Sequence, residues 1–204
     1  MNRRTLLTAL GISPLAGRLL ATEAPVDPQR DAIRARYFPD VVLHTHEDKK
    51  VRLYQDLIKD KIVMINFMYA RCNGVCPGIT SNLVKVQRML GDRVGRDIFM
   101  YSISLKPEED SPKALREYAR AHGVRPGWTF LTGHPKDIEL LRGKLGARNP
   151  DPKLDADTSQ HTGIIRYGNE PMRWWAACAG LSKPSWIIES LSWVDWPSNR
   201  PKQG

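Results

Sequence analysis

The feature that most constrains the fold of this chain is an apolar run that ends in a pair of cysteines. Residues 62–68 are apolar except for Asn66, which is typical of a strand buried on both faces. Cys72 and Cys76 follow in a short loop, and Pro77 comes directly after the second cysteine. Proline is tolerated in the first turn of a helix, because the backbone donors there have no partner within the helix. The sequence therefore predicts a buried strand, a loop and a helix, with two thiols at the junction.

This position predicts reactive thiols. Unpaired N–H groups at a helix N-terminus favour thiolate over thiol, so we expect a lowered pKa for the cysteines. Their four-residue spacing places the side chains of Cys72 and Cys76 on one side of a turn, with about 5 to 6 Å between Cβ atoms if the segment is helical. The pair is therefore suited either to bind one soft metal ion or to close a disulfide.

Apolar patterns in the rest of the chain alternate between strand and helix. Two short strands, at residues 41–43 and 51–53, predict an N-terminal β-hairpin. Helices and strands then alternate as far as residue 145, and a second hairpin over residues 164–176 and a last helix over 184–194 follow. The pattern predicts an α/β, thioredoxin-like sandwich with a central mixed sheet flanked by helices.

Some helix residues have specific expectations. Asp110 or Ser111 is expected to cap the helix that begins at Pro112. The last helix is expected to bury Trp186, Ile187 and Leu191 in its apolar face, with Trp193 as a further candidate. As an alternative, the tryptophan-rich C-terminus, which also includes Trp196, forms a docking surface.

Several other histidine and cysteine residues have two possible interpretations. His44 and His46 share one face of the first hairpin and are either a solvated strand edge or a metal pair. His134 is expected at the surface in a turn. Cys178 is expected as a small buried apolar side chain, and a resolving thiol or a partner contact is the alternative.

Size and charge exclude several classes. The 204 residues are 41% hydrophobic and 26% charged, which fits one globular domain. The net charge is +9, but Lys and Arg are interleaved with Asp and Glu, without a basic block or an aromatic RNA-binding signature. We therefore expect no nucleic-acid partner. Three cysteines provide neither a disulfide framework nor a usual four-ligand zinc site.

The N-terminus is similar to an export signal. Arg3 and Arg4 precede a modestly apolar segment at residues 5–17, which is too short to span a bilayer. This arrangement resembles a twin-arginine signal, and the alternative is a frayed, uncleaved terminus. Export would place the thiols in the oxidising periplasm, with no stable transmembrane anchor. The expected organisation is an export signal at 1–24, a linker without a core at 25–39, a thioredoxin-like domain at 40–196 and a tail at 197–204.

His161 is the candidate for a third metal ligand. Two thiolates leave the shell of a soft metal incomplete, and an imidazole is the usual completion for copper. His161 ends a long polar loop at residues 146–160 and precedes the strand at 164–167, so the fold would bring it to the sheet edge with Cys72 and Cys76. Considered alone, a single distant histidine is more often structural.

Four blocks of sequence add a family resemblance. In chain order they are NFMYARCNGVCP, SISLKPEEDSP, GWTFLTG and the pair His161-Thr162. Together they resemble the SCO/SenC family of copper-binding thioredoxin-fold proteins, over about residues 40–177. The resemblance implies that copper is bound through Cys72, Cys76 and His161. It also implies help in assembling the copper site of cytochrome c oxidase, as a metallochaperone, as a thiol reductant of the receiving subunit, or both. The implied partners are the copper-receiving oxidase subunit or its cysteines, and a periplasmic thiol reductant.

Two positions depart from the family pattern. Lys106 stands where the family usually has an aspartate, and Gln160 stands where an aspartate often precedes the histidine. A cation near the thiols should favour thiolates and oppose the charge of a bound cation. We therefore expect a preference for Cu(I), or for dithiol chemistry, over Cu(II).

The competing function is that of an enzyme, a thiol-disulfide oxidoreductase that uses Cys72 and Cys76 without metal, with Cys72 as the more exposed nucleophile. Dedicated oxidoreductases of this fold favour two intervening residues and a proline opposite the dithiol, and no proline lies between Lys153 and His161. Peroxiredoxins place Pro and Thr before the reactive cysteine, and both are missing from residues 67–71. A purely structural disulfide is the remaining alternative.

Overall fold

The structure is a computed structural model that describes residues 28–157 and 161–195. The predictions for the export signal at 1–24, for Gln160 and Trp196 and for the tail at 197–204 lie outside these residues. Within the two described ranges, no helix is both long enough and apolar enough to cross a membrane.

Seven strands form one mixed sheet. They are β1 (Val42–Thr45), β2 (Lys50–Arg52), β3 (Ile62–Met68), β4 (Ile98–Ser104), β5 (Trp128–Gly133), β6 (Ile164–Asn169) and β7 (Trp174–Ala179). Their order across the sheet is β2-β1-β5-β4-β3-β6-β7. The three central strands, β3, β4 and β5, are parallel, and an antiparallel hairpin lies at each edge. The predicted mixed sheet and both predicted hairpins are confirmed.

Six α-helices accompany the sheet in the described residues. They are α1 (Pro28–Tyr37), α2 (Cys76–Leu90), α3 (Pro112–Ala121), α4 (Pro135–Lys144), α5 (Pro152–Ala156) and α6 (Pro184–Ser192). A π-helical turn at Leu53–Ile58 and a 3-10 turn at Gly91–Arg93 complete the regular structure. Neither α5 nor the π-helical turn was predicted from the sequence. Ser111 caps α3 by accepting a hydrogen bond from the Ala114 N–H at 3.2 Å, as one of the two predicted alternatives requires.

The sheet separates two apolar layers. All seven residues of β3 are buried, and alternate side chains enter opposite layers because strand side chains alternate. One layer contains α2 and α6 and includes both Cys72 and Cys76. The other contains α4 and the π-helical turn, and the end of α1 packs against it. The dithiol therefore lies on one side of the sheet only.

The prediction that residues 25–39 form a linker without a core is wrong for the residues just before β1. Phe38 is only 3% exposed, and its ring centroid lies 4.6 Å from that of Trp175. Arg30 of α1 also hydrogen-bonds the nearly buried Glu170 carboxylate, which accepts a further bond from the Tyr54 hydroxyl. The segment is rich in charged residues, so its sequence does not indicate that Phe38 packs against the sheet.

The last helix buries fewer aromatic residues than predicted. Ile187 and Leu191 are buried, but Trp186 is 66% exposed and Trp193 is 72% exposed. Residues four apart share a helix face, so the stripe formed by Ile187 and Leu191 leaves the neighbouring Trp186 outside it. The predicted burial of both tryptophans is therefore wrong. Cys178 is only partly buried and packs against the dithiol layer.

Candidate dithiol and metal site

The two cysteines lie at the carboxyl end of β3, as predicted. Cys72 is held in the connecting turn, where its N–H donates to the Tyr69 carbonyl at 3.3 Å and its sulfur accepts from the Gly74 N–H at 3.4 Å. Cys76 is the first residue of α2 and Pro77 the second. The expected strand, loop and helix are therefore confirmed, and the thiols differ in setting: one lies in a turn and the other in a helix.

His161 reaches the same place from the opposite direction. Because β6 runs antiparallel to β3, with Asn66 opposite Ile165, the start of β6 lies at the carboxyl end of β3. His161 precedes this start by three residues, and its Nε2 lies 3.1 Å from the Cys76 Sγ. The structure thus brings together the imidazole and the dithiol, as the topology predicted.

A close approach of backbone to helix makes this juxtaposition possible. Gly163 has φ +59°, and a Cβ built on it would lie 3.1 Å from the Ile79 side chain of α2. Glycine is the residue that adopts such a φ at no steric penalty. The Gly163 carbonyl accepts from the Gly180 N–H at 2.8 Å, and Gly180 also packs against Ile79. These contacts hold the start of β6 against the first turns of α2.

The hydrogen bonds of His161 indicate its tautomer. The Gly163 N–H donates to the Nδ1 of His161 at 3.3 Å, which leaves the ring proton of a neutral imidazole on Nε2. That proton faces the Cys76 sulfur. Burial, together with the positive charge of Arg142, lowers the pKa of His161 to about 4, so the ring is neutral near pH 7.

The two thiols have opposite pKa shifts. Burial raises the pKa of Cys72, but hydrogen bonds from Cys76, Gly74 and the Tyr69 hydroxyl outweigh it, so the net pKa is below its ordinary value. Burial, together with the Cys72 contact, raises the pKa of Cys76 to about 12. The expectation of acidified thiols at a helix start is therefore wrong for Cys76. It is 0% exposed, and loss of hydration outweighs the helix N-terminus.

Asp110 is a site residue whose position in the sequence indicates only a helix cap. It is 1% exposed, and it accepts hydrogen bonds from the Ala70 N–H at 3.1 Å and the Ser104 hydroxyl at 2.6 Å. Burial raises its pKa above the ordinary value. The carboxylate thus fixes the backbone two residues before Cys72, and its position beside a helix cap hid this role in the sequence.

Lys106 lies beside the aromatic ring of Tyr69, a neighbour of the dithiol. Its Nζ lies 4.7 Å from the centroid of the Tyr69 ring and 3.3 Å from the Glu109 carboxylate. The hydroxyl of the same tyrosine hydrogen-bonds Cys72. Tyr69 was not singled out from the sequence, although it directly follows the buried strand.

The other predicted histidines have structural contacts. His46 Nδ1 accepts from the Phe130 N–H at 3.1 Å, and His44 lies 4.0 Å from the Asp48 carboxylate. His134 is exposed, as predicted, and caps α4 by accepting from the Lys136 N–H. Over residues 28–157 and 161–195, no three His, Cys, Asp or Glu side chains already stand in a metal-binding arrangement. Cys76 contacts His161, and Cys72 is hydrogen-bonded to Cys76.

The fold and the site define a thioredoxin-like protein with a dithiol at the start of a helix and an imidazole beside it. The model of the SCO1/SenC family matches residues 34–194. The chain therefore belongs to the SCO1/SenC family, as the sequence resemblance indicated.

A curated relative supports this assignment over a shorter range. The chain is 30% identical over 78 residues to the SCO1 protein homolog of Bacillus subtilis. The matched residues make up 38% of this chain and 40% of the relative. The chain thus spans less than half the length of this relative.

Solved structures share the fold. A SCO1/SenC family lipoprotein from Bacillus anthracis has a TM-score of 0.62 at 22% identity, over 76% of this chain and 92% of that one. ScoI of Bradyrhizobium japonicum, solved with copper bound, has a TM-score of 0.60 at 23% identity, over 75% and 96%. BsSco, described as having a disulfide switch and as a member of the Sco family of cytochrome c oxidase assembly proteins, has a TM-score of 0.62 at 21% identity, over 76% and 91%.

Proposed function

We propose that this protein is a copper-binding assembly factor for a respiratory oxidase. Cu(I) is its cargo, held by the thiolates of Cys72 and Cys76 and the imidazole of His161, and the copper-receiving oxidase subunit is its partner. The observation that carries this proposal is the neutral imidazole whose Nε2 lies 3.1 Å from Cys76 Sγ. Family membership supports it, since relatives are described with copper bound and as cytochrome c oxidase assembly proteins.

The donor set suits a soft ion. Two sulfurs and one nitrogen are typical of Cu(I), and two thiolates with Cu(I) leave one net negative charge. Lys106, a cation near this charge, is compatible with it and disfavours the additional positive charge of Cu(II). The departure of Lys106 from the family pattern therefore supports the Cu(I) form.

Copper binding requires a small change in the site. The Cys72 and Cys76 thiols are hydrogen-bonded to each other, and this bond is lost when both bind one ion as thiolates. The Cys76 proton, with a pKa of about 12, must leave. The Nε2 proton of His161 must also leave, so the neutral ring takes its proton on Nδ1 and loses the bond from the Gly163 N–H. Copper affinity is therefore expected to rise with pH.

A competition titration tests this proposal. Cu(I) is titrated into the reduced protein against a chromophoric chelator, and the titration is repeated with His161→Ala and with Cys72→Ser. Wild type should bind one Cu(I), and each variant should lose roughly 100-fold or more in affinity, because ligand loss exceeds the 10–100-fold typical of outer-shell changes. The matched control is His134→Ala, at an exposed helix cap. Equal affinities for His161→Ala and His134→Ala would overturn the proposed ligand set.

We further propose that the chain acts in the periplasm after export by the twin-arginine route. The Arg3-Arg4 pair and the short apolar segment after it support this location. In that oxidising compartment the two thiols need a periplasmic thiol reductant as a second partner, because Cu(I) binding requires both in the reduced state.

The opposite pKa shifts of the cysteines favour a second candidate function, a thiol-disulfide oxidoreductase. The Cys72 thiolate attacks one sulfur of a partner disulfide, and the other partner sulfur leaves as a thiolate. Cys76, after losing its proton, attacks Cys72 and releases the second partner thiolate. Two thiols of this protein are thereby oxidised to a disulfide while the partner disulfide is reduced to two thiols.

The two functions differ in their need for His161. Reduction of a model disulfide peptide by the copper-free protein should be abolished in Cys72→Ser under either function. Retained peptide reduction in His161→Ala, together with unchanged Cu(I) affinity, would favour the oxidoreductase.

A further inference from the structure

A cavity of about 270 Å³ lies on the side of the sheet opposite the dithiol. It is bounded by the end of α1, the end of α4 and the β6–β7 hairpin. Its walls include three aromatic side chains and three cations, namely Tyr37, Phe38, Trp175, Lys144, Arg166 and Arg173. We propose that this cavity binds a compact organic anion, with an apolar ring and one carboxylate or phosphate group.

The charge of the lining predicts an anion. Among the described residues that line the cavity, three are cationic and none is acidic. Glu170 lies in an adjoining crevice, but its carboxylate is already bound by Arg30 and the Tyr54 hydroxyl. Guanidinium groups bind carboxylate and phosphate through paired, charge-assisted hydrogen bonds. The cationic lining, with Arg166 and Lys144 in its wall, therefore favours an anionic group at this position.

Arg166 is held in place by its surroundings. Its Nε donates to the Leu145 carbonyl at 3.1 Å, at the end of α4. Gly146 follows with φ +67°, and a Cβ at this position would collide with the Arg166 guanidinium. The Nε hydrogen bond and the close contact with Gly146 together orient the guanidinium. The group therefore has its orientation before any ligand binds.

The aromatic side of the cavity is also held in place by contact with a glycine. A Cβ on Gly168 would collide with the Trp175 indole, so the ring lies directly over the glycine of the paired strand. The Phe38 ring packs beside this indole. In the turn that connects the two strands, Arg173 has φ +58°, a conformation that non-glycine residues adopt uncommonly.

The size of the cavity limits the ligand. Pockets for drug-sized molecules measure about 300–1,000 Å³ and are mostly apolar, with a few polar groups that fix orientation. A volume of about 270 Å³ therefore suits a ligand of one or two rings. The site does not depend on the proposed copper chemistry, since Cys72 and Cys76 belong to the other apolar layer.

Three isosteric probes test this proposal on the full-length protein. They are 2-naphthoate, 2-naphthamide and 2-naphthylmethylamine, which carry charges of −1, 0 and +1 at pH 7. Binding is followed by NMR, through the indole N–H of Trp175 and the surrounding backbone amides. We expect saturable binding of the carboxylate, at least about tenfold tighter than the amide, because its charge-assisted hydrogen bonds are lost in the neutral probe.

Matched variants locate the binding. Arg166→Gln should weaken naphthoate binding about tenfold and leave amide binding unchanged. Lys144→Gln should also weaken naphthoate binding. Because Lys144 is exposed, this variant tests the proposal even if Arg166→Gln does not fold. Arg120→Gln, an exposed arginine of α3, is the control. Equal binding of carboxylate and amide, or equal losses in Lys144→Gln and Arg120→Gln, would overturn the proposal.

Discussion

The two cysteines differ by four positions in sequence and by much more in environment. Cys72 lies in a turn, where hydrogen bonds from Tyr69, Gly74 and Cys76 lower its pKa. Cys76 lies fully buried at the start of α2, against His161, and its pKa rises to about 12. The difference shows that hydrogen-bond donors, including the Cys76 N–H at the helix start, lower the Cys72 pKa, whereas at Cys76 itself the helix start does not compensate for lost hydration.

The two thiols also differ in the roles that we propose for them. In the two proposed functions, Cys72 is the thiol that attacks a partner disulfide or first binds the metal ion. Cys76 and His161 are already in contact and are held by the packing of Gly163 against Ile79. We therefore regard Cys76 and His161 as the preformed part of the site, which Cys72 contacts through Cys76.

The largest expected effect is on alkylation. In the reduced protein at pH 7, iodoacetamide should modify Cys72 at least about 100-fold faster than Cys76, because thiolate is the reactive form and the Cys76 pKa is about 12. Peptide mass spectrometry after timed quenching measures both rates. In Cys72→Ser, Cys76 should stay unreactive. Comparable rates at the two positions would show that the pKa difference does not exist.

The next effect concerns stability against pH in the reduced, metal-free protein. The pKa of His161 is about 4 when folded and about 6.5 when unfolded, so its contribution is present above pH 6.5 and is lost as the pH falls towards 4. Discounting for partial exposure, we expect the free energy of unfolding to fall by about 2 kcal/mol more in wild type than in His161→Gln. Urea unfolding at several pH values measures this. Parallel curves for the two proteins would contradict it.

A smaller effect separates the hydroxyl of Tyr69 from its ring. Tyr69→Phe removes a hydrogen bond to Cys72 and should raise the Cys72 pKa, because the thiolate loses a donor and a net hydrogen bond contributes about 1 kcal/mol. The alkylation of Cys72 should slow by only about threefold, because the more basic thiolate is also more nucleophilic and this limits the decrease in rate. The control is Tyr118→Phe, whose hydroxyl bonds Thr80 instead. A loss of equal size in the control would point to a general packing effect.

The smallest expected effect is that of Lys106. Its charge is paired with Glu109 and lies beside the Tyr69 ring, so Lys106→Asp should change the ratio of Cu(II) to Cu(I) affinity by only about twofold, in favour of Cu(II). Competition titrations of each oxidation state measure the ratio. A ratio that stays the same, or that moves towards Cu(I), would show that Lys106 does not select the oxidation state.

The sequence predicted those features that follow from a single pattern. The unbroken apolar run of β3 and the three- and four-residue spacing in α2 indicated the sheet and the helix. The place of His161 just before β6 followed from strand order alone.

Features that depend on contacts between distant segments were missed. Asp110 looks like a helix cap in sequence, and only its contact with Ala70 shows that it fixes the cysteine loop. Phe38 is hidden among charges, and only the position of Trp175 buries it. Trp186 was wrongly placed in the core, because apolar composition alone does not indicate which side of α6 faces the sheet.

X-ray absorption spectroscopy of the Cu(I)-loaded protein tests the central claim most directly, because it identifies the atoms bound to the ion. We predict two sulfur scatterers and one nitrogen scatterer in wild type, with the nitrogen lost in His161→Ala and one sulfur lost in Cys72→Ser. A wild-type spectrum with two sulfurs and no nitrogen, unchanged in His161→Ala, would contradict the proposed site.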